Sequence, residues 1–529
     1  MFPGKPRGGS AWILVSPDAG PRRDRVRICL VFRRDPSYRG RMTQFTAVVT
    51  TGIYCRPGCG AKPLPANIRT FGSAAAAEAS GYRACFQCRP YRSPQSVGWD
   101  APELVCRAVR LILAGALDDG TEAELGARLG ISGRHLRRLF RAHVGATPDQ
   151  LAVSQRTHFA RRLLDDTDFT IAEIAFMAGF GSVRQLNRLC KQVFRDTPTA
   201  LRAHRRASDR LTADGGIPLR LPIDGPFEWD AMLSYLDRTA IPRVENVEDG
   251  VYRRTILVEG NPGVIEVEST GDNHLVLTAH LPHWDGLIHL VAAVRRIFSL
   301  DANPEEAAPQ LANDVSIGEL VRDRPGLRVP GTWDPLETAV KAIIDRRRTR
   351  ANATETVRRL VERYGTEVPG LQQMRLTHTR FPTASVLASA GLNDVGIEHA
   401  RAEAIRGFAR AVASDEIRLD GSIDLDLLLR SIASIPGVGE RTGHYVACGS
   451  ANETPFLSAI VRWRRRWITL AFHRPRTRPE SLVGGSHGEP SRPCISGRQL
   501  LRSEIRRVQE NDQPRRPEPR PRIGSTGRG

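Results

Sequence analysis

The sequence predicts a multidomain chain: a small α/β domain closed by four cysteines, an all-α domain of two tandem helix pairs, an α+β domain, a partial all-α domain and a basic, disordered tail. Three observations carry that expectation. Cys55, Cys59, Cys85 and Cys88 form two close pairs separated by 25 residues. A pattern of short helix, glycine turn and short helix occurs twice between residues 101 and 205. From residue 217 the texture becomes mixed strands and amphipathic helices. From about Pro455 it becomes Arg, Pro, Gly and Ser with little periodicity.

The cysteine domain comes first. Its pairs are spaced Cys-x3-Cys and Cys-x2-Cys. Tetrahedral zinc takes four soft thiolates, and a close pair lets one turn supply two of them. A disulfide framework is the rival. It suits small secreted domains, whereas this chain has 9 Cys in 529 residues and no convincing export signal. Zn²⁺ is therefore the expected cofactor. The flanking words are Thr50-Thr-Gly-Ile-Tyr-Cys55 and Gly81-Tyr-Arg-Ala-Cys85. With them, residues 35–90 resemble the N-terminal domain of the Ada adaptive-response family. The resemblance implies a zinc-held thiolate that removes the methyl group from a DNA methylphosphotriester. By motif position Cys55 is the acceptor, and Cys59, Cys85 and Cys88 are the supporting ligands. Thr51, Lys62 and Arg83 fall on positions that touch the DNA backbone in that family, and Gly60 replaces a basic residue there.

The chemistry implies a switch. Four thiolates on one divalent cation leave a net charge of −2 beside a polyanion, and methylation of one sulfur reduces it to −1. At a few Å and an effective dielectric of about 20, one unit of charge is worth up to about 4 kcal/mol before screening. Methyl transfer is thus expected to tighten DNA binding, and to be stoichiometric, because a thioether has no easy route back.

Residues 98–206 form the next expected domain. Leu104, Val105, Ala108, Leu111 and Ile112 repeat at helical spacing. Residues 121–129 then lead through Gly130-Ile131 to Ser132, the expected N-cap of a helix over 133–143. Leu136, Leu139 and Phe140 would face inward; Arg134, His135, Arg137, Arg138 and Arg141 would face out. A second copy runs through residues 170–194, with Arg184, Gln185, Asn187, Arg188 and Lys191 outward. The bland reading is a solvated basic face on an ordinary bundle. Two copies in this order resemble the AraC-type tandem helix-turn-helix family. That implies helices entering successive major grooves, where Arg reads guanine and Asn or Gln reads adenine.

After the linker at 207–216, strands are expected at 217–221, 252–258, 264–267 and 274–278, and helices at 227–236 and 287–298. Another helix is expected at 397–412. Then comes Ile435-Pro-Gly-Val-Gly-Glu-Arg-Thr442, in which glycines let backbone amides approach a phosphate at the start of a helix. Together, residues 217–450 resemble the AlkA-type 3-methyladenine DNA glycosylase family. That implies a TATA-binding-protein-like α+β domain at 217–320 and a partial all-α helix-hairpin-helix domain at 321–454. Pro436, Gly437 and Gly439 become phosphate contacts, and Tyr445 a base-stacking position, although an aromatic on a helix is most often mere core. The family's catalytic Asp lies about 16 residues beyond that tyrosine. Residues 458–463 hold no carboxylate, none occurs from Thr454 through Pro479, and Glu453 is too early. Three Arg in Asp345-Arg-Arg-Arg-Thr-Arg350 also replace the family's apolar wedge.

Charge belongs to the ends. The net charge is +19, yet residues 1–34 carry 8 basic and 2 acidic side chains, and residues 455–529 carry 17 Arg, no Lys and 6 acidic residues. The 420 residues between hold only about +2. Global basicity is therefore weak evidence about the middle. Two accounts of the ends stand: reading-frame errors in GC-rich DNA, or a basic extension and tail that add nonspecific DNA affinity. No apolar run reaches the roughly 18 residues of a membrane helix, so a cytoplasmic location is expected. Cys29, Cys106, Cys190, Cys448 and Cys494 read as non-functional thiols; Pro493-Cys494 lacks the His-Arg of O6-alkylguanine transferases. The expected function is repair of and response to DNA alkylation. Its partners would be double-stranded DNA, alkylated and promoter, with RNA polymerase a candidate and no membrane. The alternative is a purely regulatory protein with structural zinc and an inactive glycosylase remnant.

Overall fold

The computed structural model describes residues 45–93, 101–206, 211, 216–258, 260–271, 273–301, 304, 312, 318–345, 349–368 and 379–450. The basic ends, Cys29 and Cys494, the run Arg346–Arg348, Glu453 and the window 458–463 lie outside them.

The cysteine domain is a four-stranded sheet in the order β3-β1-β2-β4 with one short helix. Its elements are β1 (Phe45–Val48), β2 (Ile53–Cys55), β3 (Ile68–Phe71), α1 (Ala74–Ala79) and β4 (Arg83–Ala84). Alternation decides which face is buried: Phe45 and Ala47 point inward while Thr46 and Val48 lie half-exposed. Phe45 meets Tyr54 edge-on at 5.7 Å. Ser73 caps α1 by accepting the Ala76 amide, and the helix buries four alanines.

Seven helices follow: α2 (Glu103–Leu113), α3 (Glu122–Arg128), α4 (Gly133–His143), α5 (Pro148–Asp166), α6 (Ile171–Met177), α7 (Val183–Phe194) and α8 (Pro198–Ala203). Both repeats start with the same device. Thr121 with Glu124, and Thr170 with Glu173, form reciprocal capping boxes. Ser132 and Ser182 then cap the second helix of each pair through the amides of His135 and Gln185. Gly130 takes φ +76° in the turn between α3 and α4, a conformation open to glycine at little cost. Leu125, Leu136 and Phe140 close one small core; Ile174, Leu186 and Phe194 belong to another, and α5 contributes to both.

A five-stranded antiparallel sheet comes next, in the order β5-β9-β8-β7-β6. It contains β5 (Ile217–Pro222), β6 (Glu245–Glu248), β7 (Val251–Val258), β8 (Asn261–Ser269) and β9 (His274–His280), with helices α9 (Trp229–Thr239) and α10 (Leu287–Ile297). The edge strand β6 was not expected, because Glu-Asn-Val-Glu carries no apolar alternation. Its charge is compensated: Glu245 accepts the Tyr252 hydroxyl at 2.7 Å and Arg254 at 2.5 Å.

The remaining elements are α11 (Gly318–Asp323), α12 (Pro335–Asp345), α13 (Arg350–Tyr364), the β10 (Thr366–Glu367) and β11 (Thr379–Arg380) pair, α14 (Ala384–Ser389), α15 (His399–Ala413), α16 (Leu425–Ala433) and α17 (Glu440–Ser450). Helices α12 to α17 share a core that also takes Ile241 and Val244 from the preceding domain. The α16–α17 hairpin falls on residues 435–442, as the glycine word predicts. Gly437 has φ +81°, and a Cβ there would sit 2.9 Å from the Cβ of Ala404. No helix among the described residues is long and apolar enough to cross a membrane.

Candidate metal centre and nucleic-acid interface

Strand register builds the cysteine cluster. β2 and β4 run parallel with Tyr54 opposite Ala84, so Cys55 and Cys85 leave the same sheet end side by side. The Cys85 amide donates to the Tyr54 carbonyl at 2.9 Å. A turn after each strand then returns a second sulfur: Cys59 donates its amide to Arg56, and Arg89 closes the loop onto Cys85. All four sulfur atoms lie within 4.8 Å of one another. A tetrahedron with Zn–S of about 2.3 Å needs sulfur separations of about 3.8 Å, so the cluster closes on zinc with small movements. The four sulfurs do not suit one another as bare thiols. Cys55 donates to Cys88, which with burial pushes the Cys55 thiol far above its usual range and draws Cys88 down to about 5. A divalent cation removes that conflict. Cys55 is 5% exposed and the other three are partly buried.

Thr51 lies exposed in the β1–β2 turn, its hydroxyl donating to Val48 O at 3.4 Å. Lys62 is exposed beyond Cys59. Arg83, opposite Ile53, is half-buried, with its guanidinium 4.7 Å from the Phe86 ring centroid. Directly beside the acceptor is a buried contact that sequence reading missed. The Tyr54 hydroxyl donates to Glu78 Oε1 at 2.6 Å, and His158 Nε2 of α5 is 2.5 Å from the same oxygen. Tyr91 and Arg92 add contacts to Asp165 and Asp166 at the end of α5. The long helix between the two helix pairs is thus bonded to the strand that carries Cys55.

The outward residues of α4 and α7 divide into two groups. The guanidinium groups of Arg134, Arg184 and Arg188 are exposed and make no hydrogen bond or ion pair with a described residue. Arg137 is held by buried Glu122, and Arg138 rests 3.1 Å from His135 Nδ1. Gln185 accepts the Gly181 amide at 2.9 Å and Asn187 donates to the Val183 carbonyl at 3.0 Å, so both close on their own backbone. Cys106 and Cys190 are buried.

Tyr445 is 49% exposed and lines a cleft of about 380 Å³ between α9 and helices α12 and α13. Its hydroxyl lies 3.0 Å from that of Tyr235, a residue the sequence reading did not single out. Nothing in a single half-buried tyrosine on an amphipathic helix marks it from outside. Two of the carboxylates in this cleft are committed: Arg254 binds Glu337 at 2.5 and 2.6 Å and Glu245 at 2.5 Å. Asp345, at the end of α12, faces the cations Lys341 and Arg350, while burial raises its carboxyl above the usual range.

Family models match in the same order along the chain. They are the metal binding domain of Ada over residues 27–91, a helix-turn-helix domain over 125–204 and the AlkA N-terminal domain over 218–334. A Mycobacterium tuberculosis protein described as "Probable bifunctional transcriptional activator/DNA repair enzyme AlkA" is 37% identical over 405 residues, covering 76% of this chain and 81% of that one. The chain belongs to this activator/repair family. Zinc is the cofactor of its four-cysteine centre, and DNA is its partner. The two halves of this family member also have separate relatives in Escherichia coli. DNA-3-methyladenine glycosylase 2 is 30% identical over 42% of this chain and 77% of its own length. The bifunctional transcriptional activator/DNA repair enzyme Ada is 35% identical over 25% of this chain and 35% of its own length.

Proposed function

We propose that the chain accepts the methyl group of a DNA methylphosphotriester on Cys55 and, once methylated, binds promoter DNA more tightly and activates transcription, with RNA polymerase as its protein partner. The four-sulfur cluster, with Cys55 at the end of the strand that follows the exposed Thr51 turn, carries this reading. Zinc, when bound, keeps all four sulfurs deprotonated at neutral pH. Cys55 Sγ attacks the methyl carbon; the S–C bond forms as the C–O bond breaks, and the electron pair stays on the phosphate oxygen. The products are a thioether and an ordinary phosphodiester. Low exposure of Cys55 keeps bulk electrophiles away from the sulfur. Thr51, Lys62 and Arg83 would seat the phosphate.

Arg134, Arg184 and Arg188 are assigned to DNA reading, with Arg137 and Arg138 as weaker contacts. Pro436, Gly437 and Gly439 are assigned to gripping a phosphate at the start of α17, and Tyr445 with Tyr235 to stacking a flipped base. The absence of a carboxylate from residues 458–463 favours little or no base excision. The test is affinity for one duplex measured with methylated and unmethylated protein across a salt series. The methylated form should bind more tightly at low salt, and the gap should narrow as salt rises. Equal affinities at low salt would remove the switch.

A further inference from the structure

A second cavity of about 250 Å³ lies between the tandem helical domain and the α+β domain. Helices α2 and α5 form one wall, α10 the other, and Asp420-Gly421 approach from the loop before α16. Five arginines line it: Arg110, Arg156, Arg162, Arg295 and Arg296. Three carboxylates line it too, and each is already engaged. Asp118 is held by Arg156 at 2.6 Å and His289 at 2.5 Å, Asp301 by Arg295 at 2.8 Å, and Asp420 by Arg128 at 2.5 Å.

That leaves cations over. Among the described residues Arg296 bonds the carbonyls of Thr332 and Trp333, at 3.3 and 3.1 Å, and no carboxylate. Arg162 is the sharper case. It is half-buried with its guanidinium 5.5 Å from the Phe159 ring centroid, yet it makes no hydrogen bond or ion pair with a described residue, and its Nε is buried without a partner. The acid one turn along α5, Asp166, is taken by Arg92 at 2.6 Å and Arg220 at 3.2 Å. Burial and the neighbouring Arg295 pull the Arg162 guanidinium down to about 10. Guanidinium groups match phosphate oxygens bidentately, and a half-buried charge without an anionic partner gains from such an oxygen.

We propose that this cavity binds a small phosphate-bearing anion, free phosphate or a phosphate monoester, with Arg162 as its principal ligand. The bound anion would tie the regulatory helices to the repair half of the molecule. The site shares no residue with the four-cysteine cluster or the Tyr235–Tyr445 cleft, although Tyr91 and His158 line it and also belong to the contacts behind Cys55.

The test is calorimetry on the full chain at constant ionic strength. Inorganic phosphate and deoxyadenosine monophosphate are titrated separately, with chloride as the control. One of the two should bind saturably at one per chain, and which one does so identifies the source. Arg162→Met should weaken that binding at least tenfold, and Arg162→Lys, which keeps the charge but loses the fork, should fall between. Without phosphate the Met variant should melt no lower than wild type, and phosphate should raise the melting temperature most for wild type, less for Arg162→Lys and least for Arg162→Met. Binding unchanged by Arg162→Met, or no saturable binding by wild type, would overturn the proposal. So would weakened affinity of Arg162→Met for undamaged duplex DNA, which would make Arg162 a backbone contact.

Discussion

Single residues divide into those that hold metal and those that use it. Cys59→Ala should lose zinc and unfold residues 45–93, since a domain this small draws much of its stability from the metal. Zinc content and chelator sensitivity measure this; a domain equally folded after chelation would contradict it. Cys55→Ser should keep part of the fold and accept no methyl group. Burial pushes the Cys190 thiol up to about 12, so this cysteine should resist alkylating reagents until the protein unfolds. Peptide mapping before and after denaturation checks that. The four ligands were legible because close Cys pairs have few other uses in such a chain. Gln185 and Asn187 were not, because spacing shows which way a side chain faces and not which backbone group it closes on. Gln185→Ala should therefore cost local stability of α7, whereas Arg184→Ala or Arg188→Ala should weaken sequence-specific DNA binding by about 1–3 kcal/mol.

At the scale of elements, helix starts were read well because capping is local chemistry. Ser132 occupies the N-cap expected of it and α4 spans the expected 133–143, while Ser182 caps α7 in the same way. Edge strand β6 was missed because its stability comes from Tyr252 and Arg254, residues on a strand that pairs with it only in the fold. The same applies to the junction between β2, α1 and α5. Glu78 lies 80 residues from His158, so no local pattern announces their contact. Glu78→Ala would strand the Tyr54 hydroxyl and the His158 ring in a buried site, at a cost of about 1–3 kcal/mol. It should also reduce the response of DNA binding to Cys55 methylation. A variant that is destabilised yet responds fully would separate the packing role from the coupling role. Gly437→Ala should destabilise the hairpin, because it combines φ +81° with a Cβ 2.9 Å from that of Ala404.

Across the whole molecule, domain order was legible because each module carries its own local word: the cysteine pairs, the repeated helix pairs and the Pro-Gly-Val-Gly turn. What the sequence concealed is how the modules share cores. Ile241 and Val244 pack with the all-α helices, while Trp333 packs against the α+β core, so the expected boundary near residue 320 is not a clean packing boundary. The cleft between them holds Tyr235 and Tyr445, but Glu245 and Glu337 are bound to Arg254. Residues 458–463 also hold no carboxylate, so base excision should be little or none. Losing one preorganised electrostatic group costs about 3–4 kcal/mol, or roughly 10²–10³ in rate. Rapid release of 3-methyladenine, unaffected by Asp345→Asn or Glu453→Gln, would show that the catalytic group lies elsewhere. The central claim is methyl acceptance by one zinc-held sulfur, and peptide mass analysis after incubation with methylphosphotriester DNA tests it most directly. One methyl per chain, on Cys55 and absent in Cys55→Ser, is the predicted result; an unmodified Cys55, or a methyl distributed over Cys59, Cys85 and Cys88, would contradict it.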